Sequence, residues 1–157
     1  MLCGAVLWGL PIAAQASLTL TVQMPVNDVF ALTITPISTP LLTPTWADFT
    51  AGFKSAGTPV AVTARANRSY KVTISSSAST FTYTGSRPNP NKPRSDLQWA
   101  LSAGGSFTSL GTGGTVLSGG SATNGITQNV YYRTLWNIAQ APAGNYAINV
   151  SFTISAP

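Results

Sequence analysis

The chain has 157 residues and a formal net charge of +5, and only 7% of its residues are charged. It contains no histidine, and its acidic residues are three aspartates. This length suits one domain with its own hydrophobic core. Because general acid–base catalysis usually relies on His, Glu or Asp with a shifted pKa, so small an inventory argues against an enzyme.

The N-terminus has the pattern of a secretory signal. Residues 2–14 form an apolar run that is too short to span a bilayer, and a small-x-small cleavage site follows at 14–16. We therefore predict a signal peptide over residues 1–16 and a single mature domain over residues 17–157, located outside the cell or on its surface. Removal of Cys3 would leave no disulfide and no thiolate metal site. The alternative is a buried N-terminal strand or helix.

The remaining chain consists mainly of short stretches in which apolar and polar residues alternate, a pattern that predicts β-strands. In chain order the predicted strands are 17–24, 29–34, 59–66, 70–76, 80–84, 97–102, 107–110, 127–136 and 144–154. Residues 59–76 are interpreted as a hairpin, residues 47–54 as the only helix candidate, and the Gly-rich run 111–125 as a mobile hairpin loop. These elements predict an all-β protein, an antiparallel β-sandwich of about 8–10 strands.

The last predicted strand, 144–154, has the clearest alternation. Its large apolar positions are Tyr146, Ile148, Val150, Phe152 and Ile154. We expect all five side chains to lie in the core. Tyr146 follows an Ala-Gly-Asn turn, which predicts a tyrosine corner in which the hydroxyl group bonds back to nearby backbone.

Few side chains could support chemistry. Asp28, Asp48 and Asp96 lie in separate loop regions, so a paired-carboxylate glycosidase site is not expected. A Ser–His–Asp triad is excluded, zinc lacks its usual ligands, and no calcium-loop spacing is present. A Ser–Lys dyad beside Lys54 or Lys71 stays open, although no G-x-S-x-G motif occurs. We expect no catalytic residue, no metal and no cofactor.

Basic residues are concentrated in one part of the chain. Six of the eight fall between positions 65 and 94, and the loop 87–94 is both basic and proline-rich. Arg87, Lys92 and Arg94 are therefore candidates for binding an acidic polysaccharide, lipid headgroups or extracellular nucleic acid, without sequence-specific recognition of nucleic acid. The alternative interpretation is that these charges only maintain solubility.

Two tryptophans near loops are candidates for a sugar-binding surface, namely Trp46 and Trp136. The alternative is that they pack inside the sandwich, as large aromatic side chains often do. Trp99 alternates in phase with Leu97 and Leu101 and is expected in the core.

A family resemblance rests on four short segments, Val60–Ala64, Tyr70–Ile74, Val130–Arg133 and Ala143–Tyr146. They resemble secreted pilin-type β-sandwich domains, in particular spore coat U and fimbrial-subunit-like proteins. The resemblance covers most of residues 58–154, although the mature chain lacks the cysteine pair frequent in those families. It implies an Ig-like or pilin-like fold and a role in assembly or at a surface, with no catalytic residues carried over.

The N-terminal strand offers a mechanism for such assembly. Leu18, Leu20, Val22 and Met24 alternate with polar residues at the predicted mature N-terminus. This strand could pair with its own sheet or be donated to a sheet edge of a second copy. Head-to-tail donation that does not close produces a filament.

Our leading hypothesis is therefore an exported, non-enzymatic structural subunit of a filament or pilus, without a transmembrane segment after signal removal. It would self-associate through strand pairing at an edge that the sequence does not identify. The alternative is a monomeric secreted module for adhesion or for binding carbohydrate or anions.

Overall fold

The structure is a computed structural model that describes residues 21 and 23–157. The predicted signal segment and the candidate donor positions Leu18, Leu20 and Val22 lie outside the described residues. Within the described part, eleven strands, one α-helix and two 3₁₀ turns occur. In order they are β1 Phe30–Thr35, α1 Trp46–Ala51, β2 Phe53–Ser55, β3 Val60–Ala66, β4 Tyr70–Ser75, β5 Thr82–Thr84, a 3₁₀ turn Arg94–Asp96, β6 Leu97–Ala100, β7 Thr108–Ser109, β8 Thr115–Gly120, β9 Thr123–Leu135, a 3₁₀ turn Ile138–Gln140, β10 Asn145–Ala147 and β11 Ser151–Ser155.

The strands form antiparallel sheets without a closed barrel, which confirms the predicted all-β, sandwich-like fold class. The first sheet has the order β1-β3-β9-β6-β7, and β2 also pairs with β9. The second sheet has the order β11-β4-β8. Strands β10 and β5 form a separate two-stranded sheet. The long strand β9 occupies the centre of the first sheet, as its bulky residues on both faces predicted.

The core is formed by the inward faces of the alternating strands. In β3 and β4 every second residue is buried, and in β9 the buried residues are Val130, Tyr132 and Thr134. Trp99 is only 6% exposed, so its predicted core position is confirmed. Burial of these side chains supplies the main stabilising free energy, at roughly 1.5–3 kcal/mol for each fully buried aliphatic or Phe side chain.

The predicted hairpin over residues 59–76 is wrong. β3 pairs with β1 and β9, whereas β4 pairs with β11 and β8, so the two strands belong to different sheets. Residues 67–69 are therefore a corner between sheets. Alternation places both strands correctly against the core, but two strands facing each other across a core have the same pattern as two paired strands.

The Gly-rich run 111–125 also differs from its prediction as a mobile loop. It contains β8 and the beginning of β9, and β8 is hydrogen-bonded to β4. Only Leu117 of β8 is buried. Small Gly, Ser and Thr residues therefore form a regular ladder here without the apolar alternation that identifies a strand in sequence.

The last predicted strand is divided in two. β10 pairs with β5 and β11 pairs with β4, and residues 148–150 between them belong to neither ladder. The apolar side chains from Tyr146 to Ile154 are only partly buried, although all five were expected in the core. Their incomplete burial reflects an open groove beside β11, described below.

The short helix α1 confirms the helix predicted near residues 47–54. The Asp48 carboxylate accepts hydrogen bonds from the backbone N–H and the hydroxyl group of Thr45, both at 2.7 Å. Gly52 ends the helix in the left-handed conformation at φ 80°, which glycine adopts without steric cost. Among the described residues, no helix is long and apolar enough to cross a membrane.

Candidate functional site

Two free strand edges lie next to each other in the sandwich. β1 pairs only with β3, and β11 pairs only with β4, so each has one edge without a partner among the described residues. The two strands are also in contact with each other from opposite sheets. Free edges present unpaired backbone N–H and C=O groups, which can receive a further strand.

A groove of about 530 Å³, lined by both apolar and polar groups, opens beside these edges, and we call it the β1–β11 groove. It is bounded by the end of β1 with the following loop and by the segment from Tyr146 to Phe152. Its aliphatic and aromatic lining side chains include Ile34, Leu41, Ile148, Val150 and Phe152. These five side chains pack against the core but are only partly buried. The groove is therefore a part of the core that the described chain leaves uncovered.

The described residues before β1 do not fill this groove. Residues 21 and 23–29 form no strand and are exposed, and we call residues 21 and 23–28 the N-terminal arm. Met24 is 80% exposed and Val26 is 73% exposed. For the described part of the predicted strand 17–24, pairing within its own sheet is thus not observed. Met24, the one described donor candidate, has its apolar side chain in solvent.

Asn67 fixes the point at which the arm leaves the domain. Its side-chain oxygen accepts a hydrogen bond from the Val29 N–H, and its amide group donates to the Asn27 carbonyl, both at 2.8 Å. Arg68 forms an ion pair with Asp28 at 2.6 Å. The arm is therefore attached at the corner between β3 and β4.

This attachment point and the groove lie at different ends of β1. Phe30 pairs with Ala66 beside the corner, whereas Ile34 lines the groove. At ~3.3 Å per residue, the two positions are roughly 13 Å apart along the strand. The arm therefore leaves the domain at the end of β1 remote from the groove.

Tyr146 lines the groove and confirms the predicted tyrosine corner. Its hydroxyl group donates to the Pro142 carbonyl at 2.7 Å. Burial raises the pKa of Tyr146, and the neighbouring Tyr83 raises it further. The Tyr83 hydroxyl donates to the Ala143 carbonyl at 2.8 Å, and the two rings are 5.0 Å apart. These bonds hold the turn before β10 in place.

Lys92 is buried, so the prediction that it forms part of a binding surface is wrong. It is only 7% exposed, and its ammonium group lies 2.7 Å from the Asp96 carboxylate. The same group donates to the Leu135 carbonyl and lies 4.3 Å from the centre of the Trp136 ring. A buried ammonium needs such partners, and here the chain supplies all of them.

Arg94 is likewise engaged by its own chain. Its guanidinium donates to the carbonyl groups of Ala78 at 2.6 Å and Ser76 at 3.3 Å, and its side chain is half-buried. Of the three basic candidates in the loop 87–94, only Arg87 is exposed. The structure therefore does not bring these three residues together as one basic surface.

The two tryptophan candidates have different environments. Trp136 is half-buried and packs edge-on against Phe49 at 6.2 Å and Tyr146 at 5.3 Å, which supports the packing interpretation. Trp46 is 75% exposed at the start of α1. It remains available to a ligand, but Trp136 does not form a platform with it on the surface.

Sequence reasoning missed a polar and aromatic cluster on the outward face of the first sheet. The Arg133 guanidinium carbon lies 4.4 Å from the centre of the Phe107 ring and 5.0 Å from that of Phe53. Its Nε–H group donates to the Gln98 side chain at 2.7 Å. The bulky residues on both faces of β9 were the available signal, but they were interpreted only as evidence of a central strand.

The carboxylates form ion pairs and do not converge. Each of the three aspartates contacts one cation, in the pairs Asp28–Arg68, Asp48–Lys54 and Asp96–Lys92. No group of three or more His, Cys, Asp or Glu residues that could hold a metal ion occurs in the described part of the chain. The arrangement thus stabilises loops and contains no convergent acidic site.

The fold and the groove together define the class as an all-β, sandwich-like protein, in which the described residues leave a groove uncovered at two free strand edges. No protein-family model matches the chain. No curated protein matches it either.

Proposed function

We propose that the protein is an exported, non-enzymatic structural subunit that assembles head-to-tail into a filament at the cell surface or outside the cell. In this proposal, the N-terminal segment of one copy occupies the β1–β11 groove of the next copy as an added strand. The observation that carries the proposal is a groove that the described residues leave uncovered, together with the exposure of Met24 and Val26 in the N-terminal arm.

The chemistry of the segment matches that of the groove. Residues 17–24 alternate between apolar and polar side chains, and the groove likewise combines apolar side chains such as Ile148 and Val150 with polar groups between two strand edges. An added strand would pair its backbone with a free edge and place Leu18, Leu20, Val22 and Met24 toward the apolar side chains of the groove. Each such side chain contributes about 1.5–3 kcal/mol when fully buried, against the cost of ordering the segment.

The position of the arm is compatible with donation to a neighbouring copy. Asn67 and Arg68 hold the arm at the β3–β4 corner, while the groove lies toward the other end of β1. A donor at one end and an acceptor at the other give a heterologous interface, and an interface of this type that does not close produces a filament.

Electron microscopy of the exported protein tests the donor segment. We expect filaments from the unmodified protein and from Thr21→Asp, which changes a polar position. Leu20→Asp should abolish filaments because it places a charge against the apolar side chains of the groove, with an unchanged midpoint of thermal unfolding for the monomeric domain. Filaments that form equally with both variants, or unmodified protein that stays monomeric at all concentrations, would contradict the proposal.

A matched pair of variants tests the groove. Ile148 lines it and is half-buried, whereas the exposed Thr153 side chain on β11 does not line it. A synthetic peptide of residues 17–24 should raise the melting temperature of the unmodified protein and of Thr153→Asp, because a ligand that binds only the folded state stabilises it. Ile148→Asp should remove this increase. An increase that survives in Ile148→Asp would place the peptide elsewhere.

The exposed Trp46 supports a second candidate function, a monomeric secreted module that binds carbohydrate or anions. A glycan array probed with the monomeric protein tests it, with Arg87→Ala as the variant for the exposed basic residue. Binding that depends on Trp46 in a protein that never forms filaments would favour this second function over the first. An array without signal would exclude it for the glycans tested.

A further inference from the structure

The outward face of the first sheet holds one arginine in a fixed position. Arg133 points away from the core because its neighbours in β9, Tyr132 and Thr134, are buried on the inward side. Phe53 reaches it from β2, on one side of β9, and Phe107 reaches it from the segment before β7, on the other side. Two aromatic contacts and a hydrogen bond therefore restrict a side chain that is otherwise flexible.

Arg133 retains unused hydrogen-bond donors. Its Nε–H group donates to Gln98, whose amide group in turn donates to the Ser109 hydroxyl at 3.3 Å. Ser55 pairs with Arg133 on the other side of β9. Within the described part of the chain, neither Nη atom of Arg133 makes a hydrogen bond, so the fork that recognises carboxylates is open.

The chain provides no carboxylate for this fork. All three aspartates are engaged elsewhere, by Arg68, Lys54 and Lys92. The outward face of the first sheet, as described, carries a second cation, the exposed Arg65 on β3, and no aspartate. Arg65 aligns with the beginning of β9, roughly 26 Å from Arg133 at ~3.3 Å per residue.

Polar groups lie between the two cations. The hydroxyl groups of Thr63 and Thr127 are 2.8 Å apart on this face, and Asn129 is exposed next to them along β9. The face thus combines widely spaced positive charges with hydroxyl and amide groups. Such a surface is complementary to a polymer that carries many hydroxyl groups and spaced carboxylates.

We infer that the outward face of the first sheet binds an acidic polysaccharide, with its uronate carboxylates contacting Arg133 at one end of β9 and Arg65 at the other. Nucleic acid fits less well, because a duplex carries one charge about every 1.7 Å and is usually bound by many closely spaced cations. This inference does not depend on filament assembly, since it uses neither the N-terminal arm nor the β1–β11 groove.

The site is tested by isothermal titration calorimetry, in which the affinity of the complete exported protein for polygalacturonate is measured at fixed ionic strength. Arg133→Gln should weaken binding at least about tenfold, the loss expected for one charge-assisted bidentate contact. Arg87→Gln, which removes the same charge from an exposed loop, should change affinity less than twofold. Arg65→Gln should weaken binding of the long polymer but leave binding of a digalacturonate unchanged, because a short chain cannot reach both cations.

Methyl-esterified galacturonan is the matched ligand control, because it keeps the sugar backbone and loses the carboxylate charge. It should not bind measurably. Equal binding of the esterified polymer, equal losses in Arg133→Gln and Arg87→Gln, or stronger binding of duplex DNA at the same ionic strength would each overturn the inference. If Arg133→Gln lowers the melting temperature, Arg133→Lys, which keeps the charge without the fork, and Arg65→Gln decide the outcome.

Discussion

The ammonium group of Lys92 lies 4.3 Å from the centre of the Trp136 ring, and this contact joins the proline-rich loop to the end of β9. The same group pairs with Asp96 and donates to the Leu135 carbonyl. Although Lys92 lies in a basic loop, it therefore stabilises the structure through internal contacts. Its positive charge is directed into the molecule, so the loop presents less charge to a partner than its composition indicates.

Lys92→Met should lower the free energy of unfolding by about 2–3 kcal/mol, because it leaves the Asp96 carboxylate and the Leu135 carbonyl without their donor. Lys71→Met removes a half-buried lysine from β4 and should cost less than about 0.5 kcal/mol, as substitutions away from buried networks do. Urea denaturation at neutral pH measures both. Similar losses in the two variants would show that the Lys92 contacts contribute nothing specific.

Gly144→Ala should destabilise the turn before β10. A Cβ atom at this position would lie 2.5 Å from the Tyr83 ring and 2.8 Å from the Thr84 carbonyl oxygen. Overpacking of this kind typically costs about 1–3 kcal/mol. Gly104→Ala is the control, because nothing lies within 4 Å of its Cβ position. Thermal unfolding should show a lower melting temperature for Gly144→Ala alone, and equal temperatures would contradict the contact.

The Asp48 carboxylate should contribute to acid stability. Hydrogen bonds from Thr45, and then the Lys54 ammonium, lower its pKa from 3.8 to about 2. A carboxyl group with a lowered pKa in the folded state stabilises the protein above its unfolded pKa, and this contribution disappears as the pH falls through the folded pKa. The stability difference between the unmodified protein and Asp48→Asn should therefore be constant above about pH 5 and vanish between about pH 4 and pH 2.

Thr45→Val provides the control for the cause of this shift. It removes the hydroxyl donor but keeps the backbone donor and Lys54, so the pKa of Asp48 should rise partway toward its usual value. NMR titration of the Asp48 carboxyl group measures it. An unchanged pKa in Thr45→Val would attribute the shift to Lys54 and the backbone alone.

Asn67→Ala should release the N-terminal arm without unfolding the sandwich. It removes two hydrogen bonds, to Val29 and Asn27, at a cost of about 1–2 kcal/mol in the local stability of this junction. Hydrogen exchange should become faster at the Val29 amide. Asn27→Ala keeps the carbonyl acceptor and should leave the exchange rate unchanged, and faster exchange in both variants would show that Asn67 is not the anchor.

The local elements were predictable because their signals are local. Period-two alternation identified the strands and the buried Trp99, and the Ala-Gly-Asn-Tyr sequence identified the tyrosine corner. Sheet membership was not predictable in the same way. β3 and β4 alternate in phase with the core whether they pair with each other or face each other, so the hairpin interpretation was indistinguishable from the observed corner.

The candidate site was less accessible to sequence reasoning. Burial of Lys92 depends on Leu135 and Trp136, which are more than 40 positions away in the chain. The residues next to Lys92 in the sequence give no indication of these contacts. β8 carries almost no apolar signal, because only one of its side chains, Leu117, is buried. Its position is set mainly by backbone pairing with β4. The open edge beside β11 was hidden for the opposite reason, since its side chains have the strong alternation of a strand whose apolar face is fully buried.

The position of β9 has a consequence for how the chain folds. Its pairing with β3 joins Val60 to Val130, roughly 70 positions apart, so a long loop must close before the first sheet can form. Closing a long loop costs conformational entropy before the pairing contacts can form. Sheets dominated by distant pairings therefore fold in milliseconds to seconds. Until β9 pairs, one edge of β3 keeps its backbone N–H and C=O groups unpaired, so the newly synthesised chain exposes an aggregation-prone strand edge for much longer than a helical protein of equal size would.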